Sequence, residues 1–544
     1  MRRLPKLTAT LLLALLAPAS AQAKDPDLPQ PEDSGTTEIS ETAAVQSPGA
    51  ATPPVINPFA PRIQYNPSIN EPETESLGAE ITERILHVVE GPVEPLAQVV
   101  ESLLDITHDH TETELPHNYL PIQPIPKRPE LPIELGERFL APGWLGQGQL
   151  SATGEIVRPA FWVFGTFRTG INSFNNRAGN NSTEWVNRLD LFTQLNLSGT
   201  ERIVAGLRPF DEEKLNTRRF SGYDLRNGRE LDGFNANLQS LFFEGDFGEI
   251  FPGLDPFDAL SLDYGFSFGR QTMSFQQGLL VNEDRIDALT VTRNTLNGNG
   301  ALNIRATGVY GFNSINRNNN MPDHDAQLVG LFTETDTKFT TLNTDVAYVD
   351  SQSAFGSLLT VGISGIQRFH GKHNTYNSSL HALVSIPTDG ETLASGQGEL
   401  LFSQFSWTPH HTNDLVYLNT FWAIDQFTSA ARGPLAGGPL GQAGILFSAP
   451  GLGNYGAPLS NQASEAFGGS LGYQLFFCKT KRQMLFELGA RSDTNGTNDA
   501  AVAGGLRYQE ALDEHWLIVI DSFLAKRESR GLSPGIRFEL QMKF

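Results

Sequence analysis

Histidines and carboxylates crowd one short stretch of the chain: His108-Asp109-His110, then Glu112, Glu114 and His117. Imidazole and carboxylate suit transition metals, but this spacing sets no coordination geometry. The stretch reads as a solvated polar linker with His108, His110 and His117 as its only metal-ligating candidates, and no cofactor is expected. His381 is the one clear histidine inside a predicted strand, and no nucleophile elbow accompanies it, so no hydrolase site is expected. His370, His373, His410 and His411 fall in predicted turns. Cys478 sits beside Lys479 and Lys481, which could lower its pKa, yet it is the single Cys of 544 residues. That count excludes an intrachain disulfide, a Cys-based zinc site and an attached haem.

The remaining chemistry lies in charged and amide residues that recur at every second position. Arg188, Asp190, Gln194 and Asn196 share one parity, as do Arg202 with Arg208 and Glu244 with Asp246; Asp263 and Arg305 follow on later strands. Both signs are present, so these residues form a mixed field rather than an arginine ladder for polyanions. They are the expected lining of an aqueous channel. Glu244, Asp246 and Asp263 should fall toward one mouth of it.

Such a lining needs strands to carry it, and from residue 155 the hydropathy period is two. Ile536, Phe538, Leu540, Met542 and Phe544 alternate with Arg537, Glu539, Gln541 and Lys543. Leu260, Leu262, Tyr264, Phe266 and Phe268 alternate with Ser261, Asp263, Gly265 and Ser267. In a membrane barrel this code puts apolar side chains toward lipid and polar ones toward the lumen. No mature segment offers the ~20 consecutive apolar residues of a spanning helix. Eighteen strands are predicted, near 155–171, 184–197, 202–209, 235–247, 260–269, 286–295, 302–312, 326–335 and 340–350, then 355–369, 374–385, 396–407, 415–424, 463–477, 482–491, 502–509, 515–524 and 532–544. Their connections alternate: even-numbered ones are mostly short, while odd-numbered ones include 210–234, 270–285, 313–325 and 425–462. Short periplasmic turns and long external loops have that phase. The longest, 425–462, holds Leu435, Leu440, Ile445-Leu446-Phe447 and Leu452 among Gly-Pro turns. Exposing these would cost about 1.5–3 kcal/mol each, so part of the loop should fold inward and narrow the channel, or else pack on the rim or on a neighbouring protomer.

Ahead of the barrel region (155–544) lies a leader. Arg2, Arg3 and Lys6, the apolar run Leu11–Leu16 and Ala21-Gln22-Ala23 form a signal peptide over 1–23, with export the consequence. Residues 24–75 are Pro-rich and acidic and should be disordered. Apolar residues at helical spacing (Leu77, Ile81, Ile85, Val88, Val89; Leu96, Val99, Val100, Leu103, Leu104) predict a short helical pair over 76–107, a docking segment for the barrel, a periplasmic partner or a second copy. Residues 108–154 form a Pro-rich tether. The leader carries 21 acidic and 6 basic residues over 24–138, against 40 and 30 over 139–544, and the whole chain is net −22. That balance excludes a nucleic-acid partner.

Two stretches resemble known families. The closing strand through Phe538, Leu540, Met542 and Phe544 resembles the C-terminal assembly signal of bacterial outer-membrane proteins, which implies outer-membrane lipid and the barrel-assembly machinery as partners. Ser267-Phe268-Gly269-Arg270-Gln271-Thr272-Met273-Ser274-Phe275, with Gly278-Leu279-Leu280 and Arg285-Ile286-Asp287-Ala288, resembles the alginate-export type of barrel, an eighteen-stranded outer-membrane channel. The resemblance implies Arg270 and Gln271, at the strand end, as pore or loop residues. The expectation is a non-enzymatic, porin- or export-type channel in the outer membrane of a Gram-negative bacterium, its leader in the periplasm. The alternative is a docking barrel that anchors a periplasmic partner or sheathes a secretion or electron-transfer complex.

Overall fold

The computed structural model describes residues 128–139, 147–175, 181–211, 220–226, 228–231, 237–254, 262–298, 300–318, 320–371, 374–409, 412–478, 480–496 and 499–544. The signal peptide, the 24–75 segment, the helical pair and the tether up to residue 127, with His108, His110 and His117, lie outside the described residues. So do His373, His410 and His411.

Period-two patterning becomes eighteen antiparallel strands closed into a barrel. They are β1 (Ala160–Asn175), β2 (Asn181–Asn196), β3 (Arg202–Leu207), β4 (Leu238–Asp246), β5 (Tyr264–Phe275), β6 (Val281–Gly298), β7 (Ala301–Asn313), β8 (Ala326–Asp336) and β9 (Thr340–Ser351). The second half is β10 (Leu358–His370), β11 (Thr375–Pro387), β12 (Gly398–Thr408), β13 (Leu415–Gln426), β14 (Ser464–Phe477), β15 (Arg482–Asp493), β16 (Ala500–Ala511), β17 (Trp516–Arg527) and β18 (Gly531–Lys543). Each overlaps one predicted strand.

Closure is made by β18 on β1, in register from Gly535 opposite Phe174 to Lys543 opposite Thr166. Phe544 extends it by one residue, exchanging both backbone hydrogen bonds with Gly165 at 2.8 and 3.1 Å. A short strand, Ile133–Leu135, then pairs with Phe161–Val163 farther along the same edge of β1. Closing the sheet satisfies every wall strand on both sides and leaves no long edge. The end of the barrel that holds Ala160 and Phe544 is the terminal rim; the other is the far rim.

The two faces separate as the alternation requires. Ile536 and Phe538 on β18 are exposed outward while Arg537 and Glu539, which alternate with them, are buried. Trp185 on β2 is exposed between buried Glu184 and Val186, and Leu302, Val329, Leu418 and Leu488 extend the outer apolar band. Phe369, Tyr376 and Phe405 stack near the terminal rim at centroid distances of 5.2 and 5.8 Å, as interfacial aromatic girdles do.

One connection departs from expectation. Residues 270–285 are not a long loop, because β5 continues to Phe275, β6 begins at Val281, and 271–275 pair with 281–286 across one bulge. Arg270 and Gln271 are therefore mid-strand. The apolar-out code fails there because Met273, Leu279, Leu280 and Val281 are buried in a packed interior.

Candidate functional site

That interior is built by residues 427–463, between β13 and β14. Gly-Pro pairs start 3-10 turns at Pro434–Ala436 and Pro439–Gln442, and Ala431–Arg432 pairs in parallel with Val281–Asn282 of β6. Inward-facing groups of strands on opposite sides of the ring all meet this one segment, so it fills the barrel as an inner plug. On β15, the Glu487 carboxylate accepts the backbone N–H groups of Ile445 and Leu446, both at 2.9 Å, and the Tyr417 hydroxyl of β13. On β2, Glu184 accepts the backbone N–H and side-chain amide of Asn454, at 2.5 and 2.8 Å. Asn172 of β1 donates to Leu452 O at 3.0 Å, and Asn419 of β13 to Ala443 O at 2.9 Å. Leu440, Leu446, Phe447, Leu452 and Leu459 are fully buried. Leu446 lies over Gly489 and Gly505, where a Cβ would meet it at 3.1 and 2.8 Å. The inward fold expected of this loop is present.

Arg432 anchors the plug to the β5–β6 turn, donating to Ser429 Oγ at 3.1 Å and to the carbonyl of Gly278. Full burial lowers its pKa to about 10, with the buried Glu283 carboxylate opposing the shift. The turn itself reaches across the lumen: Gln276 Oε1 lies 3.0 Å from His381 Nδ1 on β11. His381 is thus a packing contact, with Phe402 on its other side at 6.2 Å.

Two cavities lie along β5 and β6, one of them against the plug. One, about 520 Å³, lies between Thr272, Ser274 and Asp284 of the wall and Arg432, Gln442 and Ser448 of the plug. The other, about 730 Å³, opens toward the terminal rim and includes Gln194, Asn196, Arg202, Glu244 and Asp246. The predicted charge and amide positions of β2, β3 and β4 are therefore brought together. Within this cavity Arg202 pairs with Glu244, Gln194 bonds Asn196 at 2.7 Å, and Asp246 caps the short helix Phe247–Ile250 through Gly248 N at 2.9 Å. Glu201, in the β2–β3 turn, lines it too; burial, reinforced by the neighbouring Glu155 carboxyl, holds its pKa above the ordinary value.

Midway along the wall, Arg188 and Arg208 share Asp190 at 2.7 and 2.5 Å, and Arg208 also reaches Asp284 at 3.4 Å. Arg305 pairs with Glu334 on the neighbouring strand at 2.7 Å. Asp263 stands apart: it precedes β5 and lies 3.6 Å from Arg293. Arg270 has the outward parity of exposed Tyr264 and Phe268, and bonds Asp287 at 2.7 Å on β6. Gln271 faces inward, accepting from Ser267 at 2.6 Å and donating to Ala288 O at 3.2 Å. On the outer face, Phe538 is exposed and Leu540 and Met542 partly so, while the Phe544 ring lies over Gly165.

Other inward groups lie where parity was not followed, on β16 to β18 and β1. Arg168 bonds Glu539 at 2.6 Å, Arg507 bonds Asp521 at 2.6 Å, and Arg537 bridges Glu539 and Asp521 at 2.5 and 3.4 Å. The alternation that gave Arg188 would have given these. Arg432 carries no such signal, because a loop has no period.

No family model and no curated protein matches the sequence. Solved structures do match the barrel. OccK1 (OpdK) of Pseudomonas aeruginosa is 10% identical with a TM-score of 0.50, over 71% of this chain and 98% of that one. A BenF-like porin from Pseudomonas fluorescens Pf-5 is 9% identical with a TM-score of 0.50, over the same shares. OccAB3 of Acinetobacter baumannii is 9% identical with a TM-score of 0.49, over 71% and 99%. The chain has a porin-type fold. The alginate-export resemblance gains no support from these matches.

Proposed function

We propose that the chain is an outer-membrane channel for small hydrophilic solutes, narrowed by its own plug. The observation that carries this reading is open space in line along β5 and β6: a cavity of about 520 Å³ between those strands and the plug, and one of about 730 Å³ nearer the terminal rim. Barrels of eighteen strands are wide enough for an aqueous path beside such an insertion. In this reading the terminal rim and the leader face the periplasm. Arg188, Asp190, Gln194, Arg202, Arg208, Glu244, Asp246 and Arg305 line or border the path, and Phe538, Leu540, Met542 and Phe544 serve the assembly machinery. An alginate-type polyanion fits poorly, because the lining guanidiniums named here are paired with carboxylates.

Planar-bilayer recordings on the full-length protein and on a variant lacking residues 433–458 test this. Stepwise conductance that rises in the excision variant is expected. Correctly assembled barrels of both forms that conduct nothing would sink the channel reading and leave a docking barrel.

A further inference from the structure

We propose that the channel is cation-selective, admitting solutes with ammonium or guanidinium groups and neutral polar solutes while rejecting carboxylates. The inference rests on the channel reading and deepens it.

Guanidiniums of the mid-lumen wall are already committed. Arg188 and Arg208 hold Asp190 between them, and Arg168, Arg507 and Arg537 are locked to Glu539 and Asp521 at 2.5–2.6 Å. Asp521 and Glu539 are almost wholly buried and sit in cross-strand register with Arg507 and Arg537 or beside them. A solute carboxylate would have to displace a wall carboxylate fixed by the sheet itself, and charge-assisted bonds of this kind are the strong ones.

Some inward carboxylates, by contrast, are held by neutral donors instead of arginines. Glu184 and Glu487 accept from loop amides and a tyrosine hydroxyl, and Asp345 from Thr333 N at 3.0 Å; none of the three is in an ion pair among the described residues.

The cavity at the terminal rim holds more carboxylates than guanidiniums where a solute would meet it. Glu137, Glu201, Glu244 and Asp246 line it against Arg158 and Arg202. Glu201 is only 3% exposed and lies against the Glu155 carboxyl, so Glu244 and Asp246 carry the charge that a solute meets. Ser267, Thr290 and Thr292 complete the wall with hydroxyls that suit neutral polar groups. Two further inward cations, Arg368 on β10 and Lys543 on β18, stand exposed around the same rim, where Glu334 and Asp336 of β8 add further carboxylates. Residues 139–544 as a whole hold 40 acidic and 30 basic residues. Low-dielectric walls focus such a field along the channel axis.

The test is the reversal potential of full-length protein in a planar bilayer across a KCl gradient, with vesicle uptake of putrescine against succinate. Potassium preference and faster putrescine entry are expected. The double variant Glu244→Gln/Asp246→Asn should shift the reversal potential toward zero, as should Asp246→Asn alone, since Asn keeps the helix cap. Chloride preference, or an unshifted potential in both assembled variants, would overturn the inference while leaving the channel reading standing. A barrel that assembles and conducts nothing would overturn both.

Discussion

Glu487 holds two successive loop amides with one carboxylate and so ties the plug directly to the wall. Replacing it by Gln turns one acceptor into a donor facing an N–H. Leaving such a buried donor unpaired costs about 1–3 kcal/mol. Glu487→Gln should therefore loosen the plug without opening the wall. The readout is flickering, higher-conductance openings together with unchanged heat-modifiable mobility; quiet channels of normal size would show that Glu487 is not a tie. Glu201 makes a different prediction, through pH. Its folded-state pKa is raised by burial and by Glu155, so the fold favours the protonated carboxyl. That stabilisation is fully present below the unfolded pKa, and is lost as pH rises through the raised folded value. Glu201→Gln should accordingly be the more stable protein at neutral pH, with its advantage shrinking on acidification through the carboxylate range. Thermal unfolding in detergent across that range checks it, and an advantage that grows in acid would contradict the assignment.

At the scale of the element, the eighteen strands were legible because lipid on one side and water on the other force a strict alternation. Legibility ended where the second medium changed. On β8, inward Leu328 and Phe332 are as apolar as outward Val329 and Leu331, because the packed interior around the plug, here Phe275 of β5 stacked on Phe332, covers them in place of water. The same substitution of packed interior for water hid the continuation of β5 past Arg270. For the candidate site, pairs one strand apart such as Arg202 and Glu244 followed from parity. The Glu487 and Glu184 ties could not, since each depends on a loop whose path no period records. The closing strand carries its own prediction. Phe544 contributes both backbone bonds to Gly165 and lays its ring over that residue, where a Cβ would come within 2.9 Å of it. Deleting Phe544 should lower the yield of heat-modifiable barrel, and Gly165→Val should do so by displacing the same ring. Wild-type yields from both would remove any role for this contact in closure.

For the molecule as a whole, the barrel and its plug are one cooperative object, since the plug spans from β6 to β15 and buries apolar side chains against both halves of the ring. Its wall also has an unusual seam. Running down the edge of β1, β18 is followed by Phe544 at Gly165 and then, past a gap of one residue at Phe164, by Ile133 opposite Val163 with the chain pointing the same way. The beginning and the end of the described fold thus occupy a single line, like two ends of a tape laid edge to edge. A one-residue bridge from Phe544 to Ile133 would splice them into a continuous track, and the chain could be reopened between β11 and β12 with every wall pairing retained. Such a permuted protein should refold in detergent to a barrel of native heat-modifiable mobility. For the pairing of the wall, the seam along β1 is one of several places at which the ring could be cut.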